Sequence, residues 1–308
     1  MKYIVASTAV MDELRFADGT MHGPVGGGAG LYALAGMKTW TDDVLIVTGV
    51  GSDFAALQGE WFARNHLSTA GLVIKGEYTP RTTVAYDATD ERTETPIYGS
   101  DHYRLMEPAP AEIEQACQEA AGVYVFKNAD RDFWSATMRL KERQGFMLLW
   151  ELAADAAQPR ELPGIVEILK HVDVWSLNRQ EALDLFAATS VVEVIPRLHA
   201  LRLPLVYLRM GREGAYMLAA GKTWTIPSIR ASNVVDVTGG GNSSSGAVLV
   251  GFCEGNDPLM AGIMGSVSAA ACLAQYGPPP VIDAVARENA KWLARAMYDE
   301  YRRQDDAI

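Results

Sequence analysis

Six short runs of almost unbroken apolar residues punctuate this chain, at 3–9, 44–47, 123–126, 146–150, 172–176 and 205–209. Runs of this kind require a sheet covered on both faces, because a strand with one wet face would alternate polar and apolar residues. Between them lie stretches of helical period. Phe54, Leu57, Trp61 and Phe62 share one face, as do Ile113, Ala116 and Ala120, and later Ala182, Leu185 and Phe186. Strand–helix alternation predicts right-handed crossovers and an α/β fold with a doubly wound, mainly parallel sheet flanked by helices. A last helix is expected over 283–303, with Val285, Trp292, Leu293 and Met297 on one side. No repeat or linker divides the sequence, so residues 1–308 are expected to form a single domain.

Two regions break the alternation. Residues 14–22 hold a turn signal at Asp18-Gly19, and residues 80–98 alternate Thr, Val and Tyr with charged residues. Both predict antiparallel strands outside the main sheet. A small second sheet built from about 13–25 and 80–100 would serve as a lid or as a plain solvent-facing extension, and the residues do not choose between them.

Composition narrows the class. With 49% hydrophobic and 21% charged residues the chain is neither disordered nor membrane-like. Its formal charge is −11, with no run of Lys or Arg, which repels a phosphate backbone and argues against nucleic acid. A locally positive pocket inside such a shell still admits a small anion. Cys117, Cys253 and Cys272 are far apart in apolar stretches and are expected as buried, reduced thiols. Asp12 and Glu13 interrupt the N-terminal apolar run, and no run approaches the roughly 20 residues needed to span a bilayer. A soluble, cytoplasmic protein that binds no membrane is expected.

The chemistry is expected in the segment opening at Asn233, which runs Asp236-Val237-Thr238-Gly239-Gly240-Gly241-Asn242 and continues through Ser243-Ser244-Ser245-Gly246 into an apolar helix. Glycines let the backbone take positive φ and approach a ligand closely. Asn242 or Ser243 would cap the helix, whose unpaired N–H groups and partial positive charge suit an anion. A tight loop capping a buried helix has the same composition. Other nucleotide and catalytic signatures are missing. There is no G-x-x-x-x-G-K-[S/T], and the glycines at 26–30 and 49–51 meet Leu31 and Phe54 where G-x-G-x-x-G needs its third glycine. H-E-x-x-H, C-x-x-C and G-x-S-x-G are absent too.

The segment at 236–252 resembles the C-terminal signature of the ribokinase-like (PfkB) carbohydrate kinases, D-[T/P]-T-G-A-G-D followed by a helix. Four further segments resemble that superfamily in the same order. Ser7–Asp12 is similar to the end of its first strand, and Gly26–Ala33 to its Gly-Gly substrate loop. Asn178-Arg179-Gln180-Glu181 is similar to N-x-x-E, and Gly211-Arg212-Glu213-Gly214 to the G-x-x-G turn near the nucleotide. The resemblance implies an ATP- and magnesium-dependent phosphotransferase acting on a hydroxyl of a sugar or sugar-like molecule. It implies an acceptor held by Asp12, Gly27, Gly28, Tyr32 and Arg81, and a nucleotide near Asn178, Arg209, Gly211, Gly214 and Ser266. Gly239, Gly240 and Gly241 would form the anion hole, Glu181 would organise magnesium, and Asp236 with Thr238 would hold a monovalent cation. A homodimer through the lid is also implied, with Val84, Tyr86, Ile97 and Tyr98 as apolar candidates. Tyr98, His102 and Arg104 are further pocket or lid candidates, and an inward Arg81 or Arg104 would suit an acidic or phosphorylated acceptor.

Three positions depart from the pattern: Leu31 for a sugar-binding Asn, Arg209 for Thr, and Asn242 for the catalytic Asp. An amide cannot take the acceptor's proton, and losing a general base costs roughly 10²–10⁴-fold in rate. Four readings stay open: a natural branch, with a MAK-type fungal branch similar in its Gly-Gly-Asn; a weak or inactive ligand-binding or regulatory protein; an introduced substitution; or a different reaction on the same fold.

Overall fold

Successive residues along the first strand are buried in different cores. Tyr3 and Val5 enter one hydrophobic cluster, and Ile4 and Ala6 enter the other. The same division recurs at Val123 and Tyr124, Leu149 and Trp150, Val174 and Trp175, and Leu205 and Val206. A strand with period two between two layers must be apolar throughout, which is why the sequence shows unbroken runs.

The computed structural model describes residues 1–86, 92–229 and 234–305. Its strands are β1 (Tyr3–Ala6), β2 (Val10–Arg15), β3 (Met21–Gly27), β4 (Val44–Gly51), β5 (Leu72–Gly76), β6 (Arg81–Tyr86), β7 (Arg92–Pro96), β8 (Gly122–Lys127), β9 (Met147–Leu152), β10 (Val174–Asn178), β11 (Leu205–Arg209), β12 (Ala215–Ala219) and β13 (Lys222–Ile226). Its α-helices are α1 (Gly28–Lys38), α2 (Phe54–Arg64), α3 (Gly99–Met106), α4 (Pro110–Ala116), α5 (Arg131–Gln144), α6 (Leu162–Leu169), α7 (Arg179–Leu185), α8 (Val191–Ala200), α9 (Gly240–Cys253), α10 (Pro258–Cys272) and α11 (Ala284–Asp305).

The main sheet runs β13-β12-β11-β10-β9-β8-β1-β4-β5, parallel except at the β12 and β13 edge. Helices α1, α9, α10 and α11 cover one face, while α4 to α8 cover the other. The doubly wound expectation is met, and the strand order reverses between β1 and β8, the place where such sheets open a crevice at their carboxyl ends. The two excursions form a separate four-stranded sheet, β3-β2-β6-β7, with β2 and β6 parallel and both outer pairs antiparallel. The expected run at 3–9 divides here: β1 ends at Ala6, and the chain leaves the main sheet to enter the second one as β2. Asn233 and residues 87–91 of the expected lid lie outside the described residues.

Candidate active site

Gly239 precedes α9 with φ +77° and makes no side-chain cap bond. A Cβ there would fall 2.1 Å from the Tyr32 ring, so both the backbone conformation and the close approach require glycine. Ser243 N–H donates to the Gly239 carbonyl at 2.9 Å. The N–H groups before it have no helical carbonyl behind them, which is the geometry of an anion-binding helix end. Asn242 stands in the first turn of this helix.

Asn242 does not hang free. Its Nδ2 donates to Glu151 Oε1 at 2.9 Å and lies 3.4 Å from the Tyr124 hydroxyl. A carboxylate only accepts, so the amide is oriented with Nδ2 towards Glu151 and Oδ1 away from it. Glu151, at the end of β9, is 1% exposed. It also takes the Tyr124 hydroxyl on Oε2 at 2.8 Å and Arg209 Nη1 on Oε1 at 2.8 Å. Burial drives the Tyr124 pKa well above its ordinary value, and the Glu151 charge adds to the rise. Arg209 ends β11 and reaches on to Glu181, Nη2 to Oε2, at 3.5 Å. Burial opposes its charge, yet Glu151 and Glu181 outweigh that and raise its pKa. A Cβ on Gly241 would lie 2.1 Å from Arg209 Nη1, so the guanidinium rests on the first turn of α9.

Glu181 begins α7 in a reciprocal cap. Asn178 Oδ1 accepts from Glu181 N–H at 2.9 Å, while the Asn178 backbone N–H donates to Glu181 Oε2 and its Nδ2 to Oε1, both at 2.7 Å. Burial raises the Glu181 pKa, against the opposing pull of Arg209 and the Asn178 N–H. Each oxygen of the carboxylate expected to organise magnesium accepts one hydrogen bond from Asn178 and keeps a further lone pair, and no group of three or more metal-ligating side chains occurs among the described residues. Glu181 therefore keeps acceptor capacity for a magnesium-bound water.

The second sheet is tied to the glycine loop. Asp236 Oδ1 accepts from Thr238 N–H at 2.9 Å, the Thr238 hydroxyl at 2.7 Å and Tyr86 of β6 at 3.0 Å. Tyr86 stacks on Phe16 at 5.4 Å, and Phe16 meets Tyr276 at 5.6 Å. Asp12, in β2, is buried against Gly27, where a Cβ would lie 1.8 Å from its Oδ2. Gly28, at φ +76°, opens α1 beside the Thr8 carbonyl. Tyr32 is 2% exposed and walls the loop rather than facing solvent, and burial followed by Asp12 and Asp236 raises its pKa. Arg81 faces Asp53 and Glu13 at 3.5 and 3.7 Å.

On the other side of Arg209, Gly211 and Gly214 bound a single 3-10 turn with φ +63° and +93°. Gly214 lies against the Ile226 carbonyl, and Ser266 of α10 donates to the Pro227 carbonyl at 2.8 Å. These three residues gather beside the β11–β13 edge, apart from the Asp12 group.

A cleft of about 830 Å³ opens at the β1–β8 crevice, lined by Thr8, Glu94, Tyr103, Lys127, Asp130 and Asp155 among others. The Tyr103 hydroxyl is 2.6 Å from Thr8 Oγ1, and burial pushes its pKa up to about 12. Arg104 lines the cleft but is mostly exposed and pairs with Asp101, while His102 contacts the Tyr78 carbonyl at 2.9 Å and Tyr98 stacks on Tyr78. Sequence reasoning missed Glu151, Tyr124 and Tyr103, and it offered Tyr86 for a dimer interface although its hydroxyl meets Asp236. For Glu151 a signal existed, since a carboxylate interrupting the apolar run at 146–152 needs a buried partner.

Residues 23–283 match the profile of the pfkB family carbohydrate kinases. An uncharacterised protein of Schizosaccharomyces pombe is 21% identical, over 91% of this chain and 86% of its own length. A putative ribokinase II from E. coli, solved with ATP and Mg2+, superposes with a TM-score of 0.77 at 14% identity, covering 96% of this chain and 99% of that one. The Burkholderia thailandensis nucleoside kinase, solved with inosine, gives 0.70 at 17% identity, covering 93% and 97%. The glycine-headed helix and the second sheet that meets it therefore stand in a chain that belongs to the pfkB family of carbohydrate kinases.

Proposed function

We propose that this protein transfers a phosphoryl group from ATP to a hydroxyl of a neutral sugar or sugar-like molecule. The observation that carries the reading is the open first turn of α9, flanked by Arg209 on the G-x-x-G side and, across Tyr32, by the Asp12 group on the other. Gly239, Gly240 and Gly241 would stabilise charge on the migrating group, and Asp12, Gly27 and Gly28 would seat the acceptor with Tyr32 as a wall. Asn178, Gly211, Gly214 and Ser266 would shape the nucleotide side. Asn242 would orient the acceptor hydroxyl through Oδ1 without taking its proton. The loose transition state of phosphoryl transfer tolerates late proton loss.

Charge in the cleft favours a neutral acceptor. Of the cations lining it, Lys127 pairs with Glu107 and Arg104 with Asp101, whereas Glu94, Asp130 and Asp155 also border the space; Arg81, outside that lining, pairs with Asp53 and Glu13. Asp236 and Thr238 support the loop and the lid, and a monovalent cation there would have to share Asp236 with three donors. A kinase drawing on ATP would work in the cytoplasm, and no helix among the described residues is long and apolar enough to cross a membrane. For a homodimer through the lid, Ile97 and Tyr98 remain available, since Val84 is buried and Tyr86 turns to the loop.

Phosphorus NMR of reactions with ATP and a panel of sugars, nucleosides and phosphorylated sugars tests the proposal. A phosphomonoester should form from a neutral acceptor and not from a phosphorylated one. A second reading, a ligand binder, draws on the Asn242–Glu151 bond, which leaves the loop without a proton acceptor. Acceptor binding without any phosphomonoester would favour it.

A further inference from the structure

Two side chains that line the cleft carry a buried polar atom with no hydrogen-bond partner, the Ser7 hydroxyl and Asn128 Oδ1. Ser7 follows β1 and is 2% exposed. Asn128 follows β8 and donates through Nδ2 to Asp155 Oδ2 at 3.0 Å. A carboxylate only accepts, so this bond fixes the amide with Oδ1 left over, and a carbonyl oxygen is satisfied only by a donor. Buried polar atoms are otherwise paired in folded proteins, so two orphans in one cleft point to a ligand that completes them. The cleft also adjoins the residues assigned to the acceptor. Thr82 lines it and pairs directly with Asp12, and directly paired residues face the same side of a sheet. Thr8 lines it too, and its carbonyl accepts from Gly30 N–H of α1 at 2.9 Å. Phe126, a third lining residue, is the register partner of Glu151, which holds Asn242.

We propose that the acceptor is an amino-bearing nucleoside, its sugar beside Asp12 and its planar base in the cleft, where the amino group donates to Asn128 Oδ1. This rests on the kinase reading above and deepens it. At about 830 Å³ the cleft lies within the roughly 300–1,000 Å³ of sites that enclose ligands larger than one sugar ring, and Phe126 and Tyr103 give it aromatic walls. Its lining sets four carboxylates, those of Glu94, Glu107, Asp130 and Asp155, against two cations. An oxo group at the Asn128 end would therefore meet acceptors only, whereas an amino group there supplies the missing donor. Asn128 is thus a specificity-determining residue, with Asp155 as the positioning residue that orients its amide.

Isothermal titration of the whole protein with the matched pairs adenosine and inosine, cytidine and uridine, and with ribose and glucosamine, reads the proposal directly. In at least one pair the amino-bearing nucleoside should bind about tenfold more tightly, and in Asn128→Ala that preference should shrink to within about threefold. Equal affinities within both pairs overturn the proposal, as does ribose or glucosamine binding as tightly as the nucleosides. Ser7→Ala should weaken the preferred nucleoside several-fold while the free protein melts no earlier than the parent, because that hydroxyl has no partner to lose. Earlier melting with unchanged affinity overturns the part given to Ser7. If Asn128→Ala does not fold, the parent pairs and Ser7→Ala decide. Phosphorus NMR with ATP separates the two readings. A nucleoside that binds but never yields a phosphomonoester removes the kinase reading and keeps the acceptor assignment, and phosphorylation of a simple sugar alone does the reverse.

Discussion

Asn242 and Glu151 act as a pair, and each limits what substitution of the other can achieve. Asn242→Asp alone would set two carboxylates in the place of a 2.9 Å hydrogen bond, raising the cost of ionising either. We therefore expect little gain in turnover from the single change. The double variant Asn242→Asp with Glu151→Gln, which keeps the hydrogen bond and moves the charge onto the loop, should exceed the single variant by roughly 10²-fold in kcat, the lower end of a general-base effect. A four-variant kinetic cycle checks this, and additive effects would refute the pairing. Gly241→Ala probes the neighbouring contact. Its Cβ would meet Arg209 Nη1 at 2.1 Å, and the guanidinium can yield only by loosening its bond to Glu151. ATP affinity should fall by about tenfold with the helix intact, measured by titration and far-ultraviolet circular dichroism.

Strand β6 of the second sheet meets the glycine loop through the Tyr86 hydroxyl. Tyr86→Phe removes the donor to Asp236 while preserving the stack on Phe16, so the loss is about 1 kcal/mol of lid docking. The expected kinetic signature is a several-fold higher KM for the acceptor with kcat changed less, as a sheet that closes over substrate without touching the reacting atoms would give. Steady-state kinetics together with hydrogen exchange over 81–86 would measure both. At this scale the sequence was legible for the strands buried on two faces and for both excursions. It missed β5, β12 and β13, and for β13 the reason is visible in Lys222–Ile226, where most side chains face solvent and the strand has no unbroken apolar run.

Across the molecule, Asp42 ties the end of α1 to α11. It accepts from Lys38, whose side chain is 2% exposed, and from Arg287 at 2.5 Å. The Lys38 hydrogen bond lowers the Asp42 pKa below 3.8, with burial opposing and the charges of Lys38 and Arg287 assisting. A carboxyl depressed on folding contributes stability that is complete above its unfolded pKa and lost as pH falls through the folded one. Thermal unfolding followed from pH 6 to pH 2 should therefore show a loss of stability below about pH 4 that is smaller in Asp42→Asn. Equal acid sensitivity of the two proteins would contradict this account.

By itself the sequence determined the layered, doubly wound sheet, the second sheet and the glycine-headed helix. Each follows from local period or local backbone freedom, which neighbouring residues carry. It also supplied every partner in the Arg209 network without revealing the network. Glu151 and Asn242 are 91 residues apart, and only the parallel order of β9, β10 and β11 under α9 sets an amide, two carboxylates and a guanidinium side by side. Which charge neutralises which is decided by distances through a low-dielectric interior, and those distances exist only once the chain has folded.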